Sequence, residues 1–200
     1  MKKILYGLAL ILSIATAIGY YYGKEYEADQ MMAMHHDDEV ESFSILQKRA
    51  RAGDVSAQYK LGQYFEGEKR DFLEAQKWYS YAATHGHHPP SQYRLAILFM
   101  NGQGVENNLP EAMKWFRRAA EQGEPRAQFF LGIASRDGWE RKADLIEAYK
   151  WFWLAERQND LVAQEDPRFN PKTSLEELDK VMRAFDRNEA IERARNWRPN

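Results

Sequence analysis

The chain has 200 residues, a formal net charge of -2, 29% charged side chains of both signs, and no cysteine. That balance offers no basic face for nucleic acid. The lack of thiols excludes disulfides, thiolate nucleophiles and cysteine-built zinc sites, and leaves the compartment open.

The first element is predicted from Met1-Lys2-Lys3 and the uncharged run Ile4 to Tyr22. Two readings of residues 1–22 stand. As a signal peptide, the apolar stretch ends in small residues at Ala15-Thr16-Ala17 or Ala17-Ile18-Gly19. As a membrane anchor, residues 4–22 reach the roughly 17–25 residues that cross a bilayer, with Tyr20-Tyr21-Tyr22 at the interface. Lys2 and Lys3 favour a cytoplasmic N-terminus, so either reading sends the rest of the chain across the membrane. Residues 23–38 are polar and show no apolar period; they read as a linker.

From residue 39 to 198 the sequence reads as one repeat domain. Phe43 to Ala52 runs into Gly53 as a capping helix would. Ala57-Gln58-Tyr59-Lys60-Leu61-Gly62 then returns as Ser91-Gln92-Tyr93-Arg94-Leu95-Ala96 and as Ala127-Gln128-Phe129-Phe130-Leu131-Gly132, at offsets of 34 and 36. A second block, Glu74-Ala75-Gln76-Lys77-Trp78, returns as Glu111-Ala112-Met113-Lys114-Trp115 and Glu147-Ala148-Tyr149-Lys150-Trp151. Ala57, Leu61 and Phe65 share one helical face, and Ala75, Trp78 and Ala82 share another, so each copy predicts two helices. Their repeats span about residues 54–86, 88–123 and 124–159. Gly53, Gly86 and Gly123 are expected as left-handed caps of the second helices, with Asn159 as substitute in the last copy. Gly67 and Gly102 are expected to end the first helices. Ala163-Gln164 starts a fourth copy that Pro167 and Pro171 should stop. A closing helix is expected over about 174–197, with Ser174 and Glu177 as a capping box.

A two-helix period near 36 residues predicts an all-α fold, an α/α solenoid of stacked helix pairs. The pattern resembles the Sel1-like repeat, a relative of the tetratricopeptide repeat. Leu95, Phe99, Gly102, Gly104, Val105, Ala112, Lys114, Trp115, Ala119, Ala120 and Gly123 carry the fullest match. The first copy lacks a counterpart of Gly104-Val105, and the third has Gly138-Trp139-Glu140 there. The resemblance implies a scaffold or protein-protein interaction module; together with the Lys2-Lys3 start and the uncharged run after it, the expectation is a bacterial cell envelope with the repeat domain periplasmic. A structural subunit without a separable ligand is the alternative. Enzymatic kinship to secreted β-lactam-acting Sel1-like proteins belongs to a cysteine-rich variety and does not carry over to a chain without cysteine.

Chemistry is sparse along the chain. His35-His36 and His85-Gly86-His87-His88 fall in a linker and a turn, and read as solvated histidines rather than a metal site. Gly102-Gln103-Gly104 lacks the Lys-Ser/Thr pair of a phosphate loop, and no Gly-x-Ser-x-Gly is present. Glu74, Glu111 and Glu147 read as solvated helix starts at the positive dipole end. No catalytic residue, cofactor or metal is therefore expected. The candidate partner-binding face is Tyr59 and Gln63, Tyr93 and Ile97, Phe129 and Ile133, one pair per first helix and roughly opposite the pairing stripe. Packing between successive repeats is the competing explanation for these aromatics.

Overall fold

The structure is a computed structural model that describes residues 43–199, and every regular element among them is a helix. The expected segments at residues 1–22 and 23–38 lie outside the described residues. Two compact units divide the chain, Met1–Lys48 and Arg49–Asn200. Helix α1 covers residues 43–51. It is followed by α2 (Val55–Gly67), α3 (Phe72–Thr84), α4 (Pro89–Asn101), α5 (Leu109–Glu121), α6 (Pro125–Asp137), α7 (Leu145–Glu156), α8 (Asn159–Glu165), α9 (Pro171–Asp179) and α10 (Ala184–Asn196). No helix of the described residues is long and apolar enough to cross a membrane.

Local chemistry starts each second helix in the same way. The side chains of Asp71, Asn108 and Asp144 accept from the backbone N–H groups of Glu74, Glu111 and Glu147 at 3.0–3.1 Å. Each satisfies one of the amides that a helix start leaves without a partner. Those glutamates sit in the first turn and pair with Lys77, Lys114 and Lys150 three residues on. The first helices α4 and α6, like the second helix α5, carry proline at N1 or N2, where a missing N–H costs nothing.

Packing follows the two stripes. Helices α2 and α3, α4 and α5, and α6 and α7 form three pairs, and α3 meets α4 as α5 meets α6. Ala75, Ala112 and Ala148 are fully buried where the helices approach, and Trp78, Trp115 and Trp151 are almost fully buried beside them. The next residue in each copy, Tyr79, Phe116 or Phe152, is fully buried as well. Tyr79 and Phe152 close on Gly62 and Gly132 so tightly that a Cβ there would stand 2.3 and 2.5 Å from the rings. The repeated glutamine interlocks successive pairs. Gln58, Gln92 and Gln128 are buried and donate through Nε2 to the carbonyls of Ala50, Ala83 and Ala120 at 3.1–3.3 Å. Those carbonyls belong to the last turn of the preceding helix, where intrahelical donors run out.

Several boundaries differ from the sequence expectation. Gly53, Gly102 and Gly123 do adopt positive φ, but Gly86 does not, and His87 (φ 46°) takes that conformation instead. Gly86 is small because Val55 lies against it, 2.5 Å from where a Cβ would stand. Gly67 is the last residue of α2, and the left-handed turn falls at Arg70 (φ 51°). Asn159 is not a cap; α7 ends at Glu156 and Asn159 opens α8.

The expected single closing helix is two. Asn170 caps α9 by accepting from the Thr173 N–H at 3.1 Å, and Pro171 fits the first turn rather than stopping it, so no Ser174 capping box forms. The hydrogen bonds of Lys180, Val181 and Met182 turn back onto Glu177 and Leu178, and Arg183 is extended (ψ 151°), which separates α10 from α9. Both α9 and α10 pack against α7 and cover its outer side.

Candidate protein-binding face

The first helices α2, α4 and α6 carry the six residues singled out from the sequence. They do not form one continuous accessible row. Tyr93 is 0% exposed and Phe129 3%, so both belong to the interior. Tyr93 lies about 6 Å, centroid to centroid, from Phe116 and Phe130. Phe129 lies 5.4 Å from Phe152. The competing explanation, packing between repeats, therefore accounts for Tyr93 and Phe129. Tyr59 is half-buried between the Tyr79 and His88 rings, at 5.8 and 4.9 Å. Gln63 is exposed, and Ile97 and Ile133 are half-buried. These four keep access to solvent.

Between them lies a charged set that sequence reasoning missed. Arg94 on α4 donates through Nη1 to Glu165 of α8 at 2.7 Å and lies 3.9 Å from Glu66 of α2. Arg126 on α6 donates through Nε to Glu124 at 2.6 Å, and its Nη1 is 3.6 Å from the other Glu165 oxygen. Both guanidiniums face the Tyr93 ring, at 5.7 and 4.6 Å. Burial works to lower the pKa of Arg94, but Glu165 and Glu66 outweigh it and hold the guanidinium charged. For Arg126 burial is likewise outweighed, here by the hydrogen bond and charge of Glu124. Tyr79 donates its hydroxyl to Glu66 at 2.6 Å. The Tyr93 hydroxyl and Arg94 Nε are buried without a hydrogen-bond partner.

The repeat register held a signal for this set. Arg94 stands where the first copy has Lys60 and the third Phe130, and Glu165 stands where Tyr59, Tyr93 and Phe129 stand in the three full copies.

Other candidates resolve differently. His85 sits at the end of α3 with Nδ1 hydrogen-bonded to Thr84 Oγ1 at 3.0 Å. His88 caps α4 and bonds Ser91 Oγ at 2.8 Å; burial lowers its pKa, opposed by Glu124. His35 and His36 lie outside the described residues. A cleft of about 280 Å³ opens on another side, lined by Arg117, Ser135, Glu140, Lys150, Trp151 and Trp197 among others. Four of its charged residues pair with one another, Arg117 with Glu140 at 2.6 Å and Lys150 with Glu147. Among the described residues no histidine lines it to activate Ser135.

Stacked helix pairs with this spacing define an α-solenoid of the tetratricopeptide type. The family model of the Sel1 repeat matches residues 55–87, 89–124 and 125–160, and the chain belongs to that family. Among curated proteins it is 36% identical over 97 residues to the DAP3-binding cell death enhancer 1 of Rattus norvegicus, covering 48% of this chain and 19% of that protein. It is 28% identical over 121 residues to the ERAD-associated E3 ubiquitin-protein ligase component HRD3B of Arabidopsis thaliana, covering 58% and 18%. The chain thus spans less than a fifth of the length of these relatives.

Among solved structures, a protective antigen of uropathogenic Escherichia coli with an SLR fold superimposes with a TM-score of 0.63 at 28% identity, covering 78% of this chain and 32% of that one. A Sel1 repeat protein from Oxalobacter formigenes gives 0.52 at 31% identity, covering 60% and 56%.

Proposed function

We propose that the chain is a non-catalytic protein-interaction module held on the outer side of a bacterial inner membrane, with the first-helix face as its binding surface. The carrying observation is the Sel1 repeat array with Gln63, Ile97 and Ile133 accessible on three successive first helices. One accessible side chain per repeat, polar at Gln63 and apolar at Ile97 and Ile133, suits an extended peptide or a helix laid across the array. The names of two relatives point the same way: one is a binder of another protein and one is a component of a multi-part ligase. The pairing of Arg117 with Glu140 and of Lys150 with Glu147 in the cleft beside Trp197 favours a binding role over a hydrolytic one. The outer-side location rests on Lys2-Lys3 and the uncharged run at 4–22, which serves as signal or anchor.

The test pairs Gln63→Arg with Ile97→Gln. An interface anchor that is lost commonly costs about 2 kcal/mol or more of binding, which is about thirtyfold in affinity. Partners crosslinked to the wild-type chain should be lost while the circular dichroism spectrum stays unchanged. Retention of the same partners by the folded variant overturns this face. A reporter active only outside the cytoplasm, fused after Asn200, should be active; a stable but inactive fusion contradicts the location.

A further inference from the structure

The segment after α7 breaks the repeat in an informative way. Ala163-Gln164 keeps the 36-residue register of Ala127-Gln128. In the three full repeats the corresponding glutamine is buried and bonded to the preceding helix; Gln164 is exposed. The place against α7 that a fourth first helix would fill is taken by α9 and α10, while α8 leans chiefly on α6. From there Glu165 reaches past α6 to Arg94 of the second repeat, 71 residues earlier in the chain. Four residues on, the Phe169 ring packs against Phe129 and Phe130 at 5.6 and 5.3 Å. Residues 159–169 thus lie across the first-helix face as a ligand would.

Little holds that strap apart from these contacts. Helix α8 has seven residues and no side-chain N-cap. A helix so short is marginal in water without tertiary support. Its one buried side chain is Val162. Leu161 is left exposed, and the carboxamide oxygen of Asn159 is buried without a partner.

We propose that residues 159–169 are an internal stand-in for the partner, and that the partner segment carries a carboxylate with an aromatic ring four residues after it. The carboxylate takes the place of Glu165 between Arg94 and Arg126, and the ring takes the place of Phe169 on Phe129 and Phe130. Glu165 sits between two guanidiniums, 2.7 Å from Arg94 and 3.6 Å from Arg126, so the segment that replaces it must bring a carboxylate, although Arg126 also keeps Glu124 at 2.6 Å. Once Glu165 leaves, Arg94 keeps only Glu66 at 3.9 Å, and that carboxylate already accepts from Tyr79. This inference rests on the interaction-module reading and specifies its ligand.

The probe is a fluorescein-labelled peptide with the sequence of residues 158–170, titrated by anisotropy against the full chain. In the wild-type chain the strap competes, so the apparent affinity falls by the fraction of open seats. The double variant Glu165→Gln with Phe169→Ala should bind the peptide about tenfold or more tightly than wild type does. Adding Arg94→Gln and Arg126→Gln should abolish that gain, as should glutamine in place of glutamate in the peptide. If the double variant melts below the assay temperature, Glu165→Gln alone carries the same comparison, because it leaves Val162 and Phe169 in place. Equal binding to wild-type and opened chains, or indifference to the peptide's carboxylate, overturns the proposal. That outcome would leave the interaction-module reading intact, which stands on partner capture through Gln63 and Ile97.

Discussion

Tyr93 separates packing from binding most sharply. Its ring is fully buried among Phe116, Phe130 and Arg126. Truncation to alanine removes an aromatic ring from a core that cannot fully collapse, which typically costs about 3–5 kcal/mol. Against a total stability of about 5–15 kcal/mol for a domain, that is a large share. Tyr93→Phe asks a finer question. It deletes only the hydroxyl, which is buried and has no hydrogen-bond partner. A buried unpaired polar group costs about 1–3 kcal/mol, so Tyr93→Phe should be neutral or should stabilise by about 1 kcal/mol. For a domain of this size that is a rise of roughly 2–4 °C in melting temperature. Urea denaturation of wild type and both variants, with a common slope m, measures all three. A loss above about 1 kcal/mol in Tyr93→Phe would mean that the hydroxyl has a partner after all. A Tyr93→Ala variant as stable as wild type would remove the ring from the core and restore it to the binding surface.

Two further outcomes follow from the packing. Gly132→Ala gains about 1 kcal/mol of helix propensity, but its Cβ would stand 2.5 Å from the Phe152 ring, and overpacking costs about 1–3 kcal/mol, so net destabilisation by about 1 kcal/mol is expected in urea melts. Burial lowers the pKa of His88 below its usual 6.5, so the folded state prefers the neutral ring. The unfolded chain then binds the extra proton; stability is full above about pH 6.5 and is lost as pH falls from there through the folded-state value. His88→Asn should therefore flatten the decline between about pH 7.5 and 5.5. An unchanged decline would assign it to other groups.

The fold was legible because closely similar blocks recur. Ala57-Gln58-Tyr59 and its copies, with Glu74-Ala75 and the Trp78 series, mark each helix and its inner stripe. The aromatic directly after each tryptophan, at Tyr79, Phe116 and Phe152, repeats as faithfully and marks where the first helix needs Gly62, Ala96 or Gly132. The turns were less legible. A left-handed residue can shift by one or more positions, as from Gly86 to His87, when a neighbour such as Val55 fills the space beside the glycine. The outer side of the first helices was least legible. Whether Tyr93 or Phe129 is covered depends on Arg126, Phe130 and a strap that arrives from residues 159–169. Periodicity records what repeats, and this segment departs from the repeat. Glu165 at an aromatic register position was the available sign.

Partners are expected to meet the first-helix face. A photo-crosslinking amino acid placed at Gln63 or Ile97 in the full chain, compared with the same group at Lys77 or Arg118 on the exposed side of the second helices, tests it directly. Discrete partner adducts are expected from positions 63 and 97 and none from 77 and 118. Adducts confined to 77 and 118 would place binding on the opposite face and contradict it.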